Sequence, residues 1–195
     1  MITFETERLI LRSWRECDAN DLYEICLDPE LRQNGVNAYG CVNESLETIR
    51  HWMKQNEMLA ILHKVDNLII GLIGLGDMNR YDGYKELEYA ISSDYRNNGY
   101  ATEALERMLD YAFGELQILV IAAWVRSHNI KCARVLEKCG FIYEGTLRKH
   151  ARDKGNTLCY SILGEDWEKF HKKKIIFGAS IGSECRPSEL FPNVL

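Results

Sequence analysis

The sequence predicts an α+β fold built on a mixed sheet. Two kinds of periodicity and one ordering carry that reading. Seven stretches show strand patterning, by alternation or as short apolar runs bounded by turn residues. Four others read as helices. The order is strand, two helices, three strands, helix, strand, helix, two strands. That lacks the steady alternation of a doubly wound fold.

Each element has its own justification. Residues 7–14 alternate charged and apolar side chains and read as the first strand. Asp18 is placed to cap a helix through Leu27, with Asp21 three residues on and Pro29 closing it. Residues 44–55 form a second amphipathic helix, capped by Asn43. Three strand-like runs follow at Met58–His63, 68–78 and 86–92. Asp66-Asn67 supplies a hairpin turn between the first two, and Asp82-Gly83 a turn in the next connection. Residues 98–113 make the clearest helix, with Ala101, Leu105, Met108 and Ala112 as its buried stripe. Residues 116–125, rich in Ile, Val and Ala, read as a buried strand. Residues 130–139 form a short helix with Asn129 at its N-cap and Gly140 just past its end. Strands at 141–147 and Thr157–Leu163 follow, and residues 166–172 suit a terminal helical turn. The tail from 175 carries two of the three prolines and no usable period, so it either docks on a sheet edge or stays mobile.

Composition narrows the class. With 195 residues, one domain is expected and no metal or disulfide is needed to hold a core. Hydrophobic residues at 46% and charged residues at 27% exclude disorder, collagen and coiled coil. A net charge of −5 argues against a basic nucleic-acid binder. That charge is uneven: residues 1–60 carry −5 and residues 131–174 carry +5. An ordinary solvated surface explains this, as does an anion meeting the C-terminal half and a cation meeting the N-terminal half. Seven cysteines, an odd number without C-x-x-C, read as free thiols in a reducing cytoplasm. The five histidines form no H-E-x-x-H, so no metal site is expected. The start of the chain has no secretory pattern, and the longest apolar run, 68–75, is too short to cross a bilayer. Gly71-x-x-Gly74-x-Gly76 lies inside a strand pattern and reads as a bulge or close packing, not a dinucleotide fingerprint. The Lys172-Lys173-Lys174 run reads as a solvated helix end, and the four tryptophans as core or groove residues.

The segment that carries chemistry is 91–104, where a strand runs through a turn into the longest predicted helix. The turn reads Arg96-x-x-Gly99-x-Ala101, and its small residues let a ligand approach the backbone. The first N–H groups of a helix have no internal partner and can cradle a phosphate. Arg96 adds a positive charge.

Here the chain resembles the GNAT family of acyl-CoA-dependent N-acyltransferases, over roughly residues 7–170. Residues 96–101 match the family's Arg/Gln-x-x-Gly-x-Gly/Ala turn, and Tyr100-Ala101-Thr102-Glu103-Ala104 is similar to a run of the branch that includes ribosomal-protein N-terminal acetyltransferases. A second block, Asn129-x-x-Cys132-x-x-Val135-Leu136-Glu137-Lys138-Cys139-Gly140-Phe141, matches the family's Asn…Glu-Lys-x-Gly-Phe block, with Glu144-Gly145 following.

The resemblance implies a GNAT fold: a mixed, mostly antiparallel sheet of six to seven strands, central strands splayed, helices flanking. It implies acetyl-CoA as co-substrate. Ile91, Ser92 and Ser93 would supply backbone groups to the pantetheine and thioester. Arg96, Asn97, Asn98, Gly99, Tyr100, Ala101 and Thr102 would hold the pyrophosphate, and Asn129 and Cys132 would also contact the cofactor. Asn129 is explained equally by its capping role. For the general base, Glu86 and Glu88 fall on one strand face by period two. Each also reads as a plain solvent-facing carboxylate, and Glu88 stands where the family usually has Gly. For the general acid, the helix Tyr of many members is Leu136 here. Cys132 and Tyr160 remain as candidates, each with a plain core reading beside it.

The expected reaction is transfer of acetyl to a primary amine, on a small molecule or a protein N-terminus. Residues 16–57 would form the acceptor wall, and their acidity suits a cation. A cytoplasmic enzyme with no nucleic-acid or membrane partner is expected, and family members often dimerise. The domain is expected to occupy 1–172, with 173–195 an unassigned extension. The rival reading is a non-catalytic acyl-CoA-binding regulatory module.

Overall fold

The computed structural model describes residues 2–78 and 83–178. Eight strands make one sheet: β1 (Thr3–Glu5), β2 (Leu9–Ser13), β3 (Met58–His63), β4 (Leu68–Asp77), β5 (Tyr84–Ile91), β6 (Val120–Arg126), β7 (Ile142–Leu147) and β8 (Thr157–Leu163). Six helices accompany them: α1 (Ala19–Cys26), α2 (Pro29–Gln33), α3 (Val42–Gln55), α4 (Tyr100–Asp110), α5 (Ile130–Lys138) and α6 (Gly164–Gly178). The order across the sheet is β1-β2-β3-β4-β5-β6-β8-β7. Every neighbouring pair is antiparallel except β5 and β6, which are parallel.

Two cores lie on the two faces. Leu9, Leu11, Ile61, Ile73, Leu87 and Ile91 pack under α4, whose Ala104, Leu105, Met108 and Leu109 are buried with them. Trp14, Leu22, Ile49, Met58, Leu72 and Ala90 form the second core with α1 and α3. Together these burials are the main term holding the layers, at roughly 25 cal/mol per Å² of apolar area removed from water.

Several local expectations are corrected. The extra strand is β1. Its three residues offer a single inward side chain, Phe4, which leaves no period to read, and Arg107 covers the Phe4 ring at 4.3 Å. Asp18 precedes α1 but does not cap it with its side chain. Its carboxylate instead accepts from Arg12 (2.7 and 3.0 Å) and from the Arg15 amide (2.8 Å). Pro29 does not close a helix. It opens α2, where a missing N–H costs nothing, and Asp28 caps it by accepting from the Glu30 amide at 2.8 Å. The helix expected to be capped by Asn43 starts earlier, after Cys41, and Glu44 reaches back to the Gly40 amide. Residues 116–119 are not strand. The chain leaves α4 through a wider π turn, Tyr111–Glu115, before β6 begins.

Other expectations hold. Asn67 takes a left-handed φ of 55° in the β3–β4 turn. Gly140 ends α5 with φ of 88°, in the region glycine enters without strain. Gly71 and Gly74 are close-packing positions: a Cβ would fall 2.2 Å from Ala90 O and 2.3 Å from Glu57 O respectively. A bulge between Ile61 and Leu62 sits opposite this segment. α6 runs on to Gly178, across the boundary expected at 172. Asp82 of the expected turn, and the tail from 179, lie outside the described residues.

Candidate active site

The one parallel pairing is short. β5 meets β6 only at Tyr84–Val120, Lys85–Ile121 and Glu86–Ala122. Both strands then run on without pairing each other, and a gap opens between residues 87–91 and 123–126. The phase of β5 is set by its other neighbour. Ser92 N–H donates to Ile70 O at 2.8 Å, so even-numbered backbone groups point to β4. By alternation the amides of Leu87, Tyr89 and Ile91 face the gap. Of the three residues expected to serve the thioester, Ser92 has its amide committed to β4. Ile91 keeps its amide toward the gap, while its carbonyl accepts from Arg96 Nε at 2.9 Å. Ser93 lies beyond the strand, in a short 3-10 turn through Tyr95.

The turn after β5 leads into α4. Asn97 (φ 64°) and Gly99 (φ 83°) are both left-handed, and no side chain caps the helix. The first intrahelical bond is Glu103 N–H to Gly99 O at 3.0 Å. The amides of residues 99–102 therefore have no helical partner, and the dipole adds positive potential there. Asn98 braces the turn, its side-chain amide donating to Tyr95 O and Arg96 O. Tyr100 bonds His63 Nε2 at 3.0 Å. His63 Nδ1 meets Asp66 at 2.9 Å, and Tyr95 donates to the same Asp66 oxygen at 2.8 Å. Bonds from Tyr95 and His63 hold the Asp66 carboxyl below its ordinary range. Ala101 and Thr102 are half-buried in the first turn.

Arg96 is not a free cation beside this turn. Besides Ile91 O, its guanidinium bonds Glu30 Oε2 (2.7 Å) and Asp28 Oδ2 (2.5 Å). Glu30 also pairs with Lys131 at 3.2 Å. The matched arginine thus shapes the turn and ties it to α2. The cation at the turn is Arg8, which sequence reasoning missed. Its guanidinium bonds Asn98 O at 2.9 Å and stacks over Tyr100, and Nη2 lies 3.4 Å from a Cβ built on Gly99. Glu103 fixes it at 2.7 Å. Burial pushes the Glu103 carboxyl up, but bonds from Thr6 and Arg8 outweigh burial and hold it low.

Across the gap, α5 begins at Asn129, whose side chain caps it by accepting from Cys132 N–H at 3.1 Å. Cys132 is half-buried, and its Sγ accepts from Tyr89 OH at 3.1 Å. Burial pushes the Cys132 thiol up, and the Tyr89 bond offsets part of that.

Glu86 and Glu88 share the face of Ala90, toward α1 and α3, whereas Leu87 and Ile91 point to the α4 core. Glu86 stands at the fork. Its register partners are Gly76 on β4 and Ala122 on β6, and no described atom comes within 4 Å of a Cβ on Gly76. Among the described residues, the space over Gly76 beside Glu86 is therefore open. Burial and then the Glu88 charge raise the Glu86 carboxyl, while burial and then Glu57 raise that of Glu88. Trp124, two residues beyond Ala122, is exposed and stacked on His150. Tyr160 lies elsewhere. It is buried in the α4-side core and donates to Glu137 at 3.1 Å, and burial followed by Glu137 pushes its phenol up to about 12. The structure thus brings Glu86 and Glu88 together on one face and places Cys132 and Tyr160 both on the α4 side, opposite to the carboxylates. Among the described residues no group of three or more His, Cys, Asp or Glu side chains is arranged to hold a metal ion.

The Acetyltransferase (GNAT) domain model matches residues 8–142, and the chain belongs to this family of N-acetyltransferases. N-acetyltransferase p20 of Bacillus licheniformis is 27% identical over 176 residues, covering 86% of this chain and 99% of that protein. The prophage-derived N-acetyltransferase YokL of Bacillus subtilis (strain 168) is 30% identical over 150 residues, covering 74% and 85%. The structure of spermidine N-acetyltransferase from Vibrio cholerae, solved with CoA and spermine, superposes with a TM-score of 0.74 at 21% identity, covering 84% and 99%. The co-substrate of the family is acetyl-CoA. The uncapped start of α4 fits its phosphates, and the unpaired edge of β5 fits an amide-bearing arm.

Proposed function

We propose that the protein moves an acetyl group from acetyl-CoA to a primary amine by direct attack, with both substrates bound together. The observation that carries this is the fork at Glu86: a half-buried carboxylate stands where the sheet splits. Acetyl-CoA supplies the activated acetyl thioester and a leaving thiol. The amides of residues 99–102, with Arg8 beside them, would hold the phosphates. The amides of Leu87, Tyr89 and Ile91 would serve the arm and the thioester oxygen. Glu86 takes the amine's proton, directly or through one water. Its raised affinity for protons suits a base that works near neutral pH. Glu88 raises it further by like-charge repulsion. Cys132 is the proton donor on the other side of the gap.

The acceptor is a cationic small molecule or a protein N-terminus. The acidic N-terminal segment, Glu86 and Glu88 supply the matching charge, and Trp124 adds an exposed aromatic face. A polyamine relative supports the small-molecule choice. Among the described residues no helix is long and apolar enough to cross a membrane, and free thiols suit a reducing cytoplasm, where we place the enzyme. We assign the catalytic domain to the 1–172 expected, carried on to the end of α6 at Gly178, and the remainder to an extension, with a homodimer as the assembly.

The test is thiol release from acetyl-CoA against a panel of polyamines, aminoglycosides and peptides. At least one amine should yield thiol. CoA binding without thiol release from any amine would leave a non-catalytic acyl-CoA-binding module instead. Glu86→Gln should lower kcat roughly a hundredfold and leave CoA affinity within about twofold. The wild-type rate should fall on the acid side at a pH above the ordinary carboxylate range, because Glu86 must be ionised to act. Unchanged turnover at saturating acceptor removes Glu86 as the base.

A further inference from the structure

Tyr89 was not among the residues that the sequence marked as functional. It sits on the splayed part of β5, and its ring points to the α4-side core, opposite to Glu88 and Ala90. From there its phenol reaches across to the first turn of α5. It meets Cys132 Sγ at 3.1 Å and Cys132 O at 3.4 Å. Strand and helix flank the gap, so this bond joins its two walls. No other side-chain bond shown for the described residues links β5 to α5.

The geometry of the pair has a chemical consequence. A thiol has one proton to give. Tyr89 has two acceptors in reach on Cys132, and it gives its own proton to Sγ. The S–H of Cys132 is then not needed for the pair and is turned elsewhere. The Cys132 amide is already engaged with Asn129 Oδ1, which fixes the backbone of that turn. We propose that Tyr89 is a positioning residue for Cys132, fixing Sγ through the bond it donates and leaving the S–H free to be given to a reacting group.

This rests on the reading of Cys132 as proton donor. When the donor acts, the S–H bond breaks, the electron pair stays on Sγ, and the proton moves into the gap. The Tyr89 O–H steadies the thiolate that remains, and a proton from solvent restores the thiol. The same bond supplies what Leu136 lacks, a phenol at the gap. Burial, chiefly, with Cys132 beside it, raises the Tyr89 phenol well above its ordinary value, so it stays protonated and keeps donating.

The thiol itself reports on the pair without any turnover. Iodoacetamide alkylation of Cys132, followed on its own peptide by mass spectrometry from pH 6 to 10, measures the thiolate. In Tyr89→Phe the thiolate loses its donor, so alkylation at pH 8 should slow about threefold, and kcat should fall about tenfold with KM for acetyl-CoA within about twofold. A residue that only packs would, on removal, expose Cys132 and speed alkylation at every pH. Unchanged or faster alkylation overturns the proposal, as does slowed alkylation with unchanged kcat. A cycle with Cys132→Ala guards against misfolding of one variant. In the Tyr89→Phe background Cys132→Ala should cost little further rate, and fully additive losses overturn the pairing. Cys132→Ser, which keeps a donor for Tyr89 to orient, should retain most of the rate. Failure of the wild type to acetylate any amine is a separate result: it sinks the assigned reaction and with it the positioning role, while alkylation still reads the pair.

Discussion

Helices α4 and α5 follow the two strands that diverge at the gap, yet they begin in opposite ways. α5 starts with Asn129, whose side chain satisfies the Cys132 amide. α4 starts with Gly99, which has no side chain to offer and a left-handed φ of 83°. The unsatisfied amides are the same in both helices before capping. What differs is whether the sequence supplies the acceptor or leaves it to a ligand. The closed start orients a thiol, and the open start is suited to an anion.

The charges round the two starts follow a similar division. Arg96 and Lys131, one near each helix, are drawn to carboxylates of α2 and its cap, whereas Arg8, paired through Nε with Glu103 of α4 itself, keeps Nη2 beside Gly99. The +5 balance of residues 131–174 is therefore not all available to a phosphate, since Lys131 is already shared with Glu30.

The sharpest way to break the contrast is to close the open start. Gly99→Glu places a carboxylate next to Arg8 and the free amides, at a φ that costs a non-glycine residue about 1–2 kcal/mol. Calorimetry should show CoA binding at least about a hundredfold weaker, or about 2.7 kcal/mol. The fold should survive, because the new carboxylate acts as an internal anion. Retained CoA affinity would mean the phosphates are held elsewhere.

Opening the closed start is the converse. Asn129→Ala removes the acceptor of the Cys132 amide and should cost about 1 kcal/mol of stability. In a chain of this length that is roughly 2–4 °C in Tm, read by calorimetric melting. It should also raise kcat sensitivity to pH, because the turn that carries Cys132 loses its brace. An unchanged Tm would show that water replaces the cap without loss.

Glu30→Gln tests the charge contrast. It releases Lys131 and half of the carboxylate partners of Arg96, so CoA should bind about two- to threefold tighter at low salt. The gain should vanish near 1 M salt, where the screening length is about 3 Å. Weaker binding would mean that α2 helps to build the site through this ion pair.

The sequence made much of this legible, and the exceptions have physical causes. α5 with its Asn129 cap and Gly140 stop was readable because both signals are local. So were the two strands Met58–His63 and Thr157–Leu163, whose bounds the structure matches. The role of Arg96 was not readable, because its partners Asp28 and Glu30 are 68 and 66 residues away. Arg8 was missed for the same reason, since its placement depends on Glu103 and Asn98. Period two put Glu86 and Glu88 on one face correctly, but it could not show that Gly76 and Ala122 flank Glu86. For Tyr160 the sequence showed neither its burial nor its two neighbours, the exposed Glu137 that accepts from its phenol and the ring of Tyr143.

The smallest expected effect concerns the fork itself, and its sign is what matters. The Glu86 carboxyl is raised in the folded protein, first by burial and then by Glu88. A carboxyl raised on folding favours the folded state below its unfolded value, where it is protonated. That advantage is lost as pH rises through the folded value, and above it the charge is a cost. Glu86→Gln should therefore raise Tm at pH 7, by about a degree, while it lowers turnover. At pH 4 the difference should shrink toward zero, because the native carboxyl is then largely neutral. Both helix starts are untouched by this change, so CoA affinity should stay level. A Tm that falls at pH 7 would mean the carboxylate is held by a partner in the groove and is not waiting there as a base.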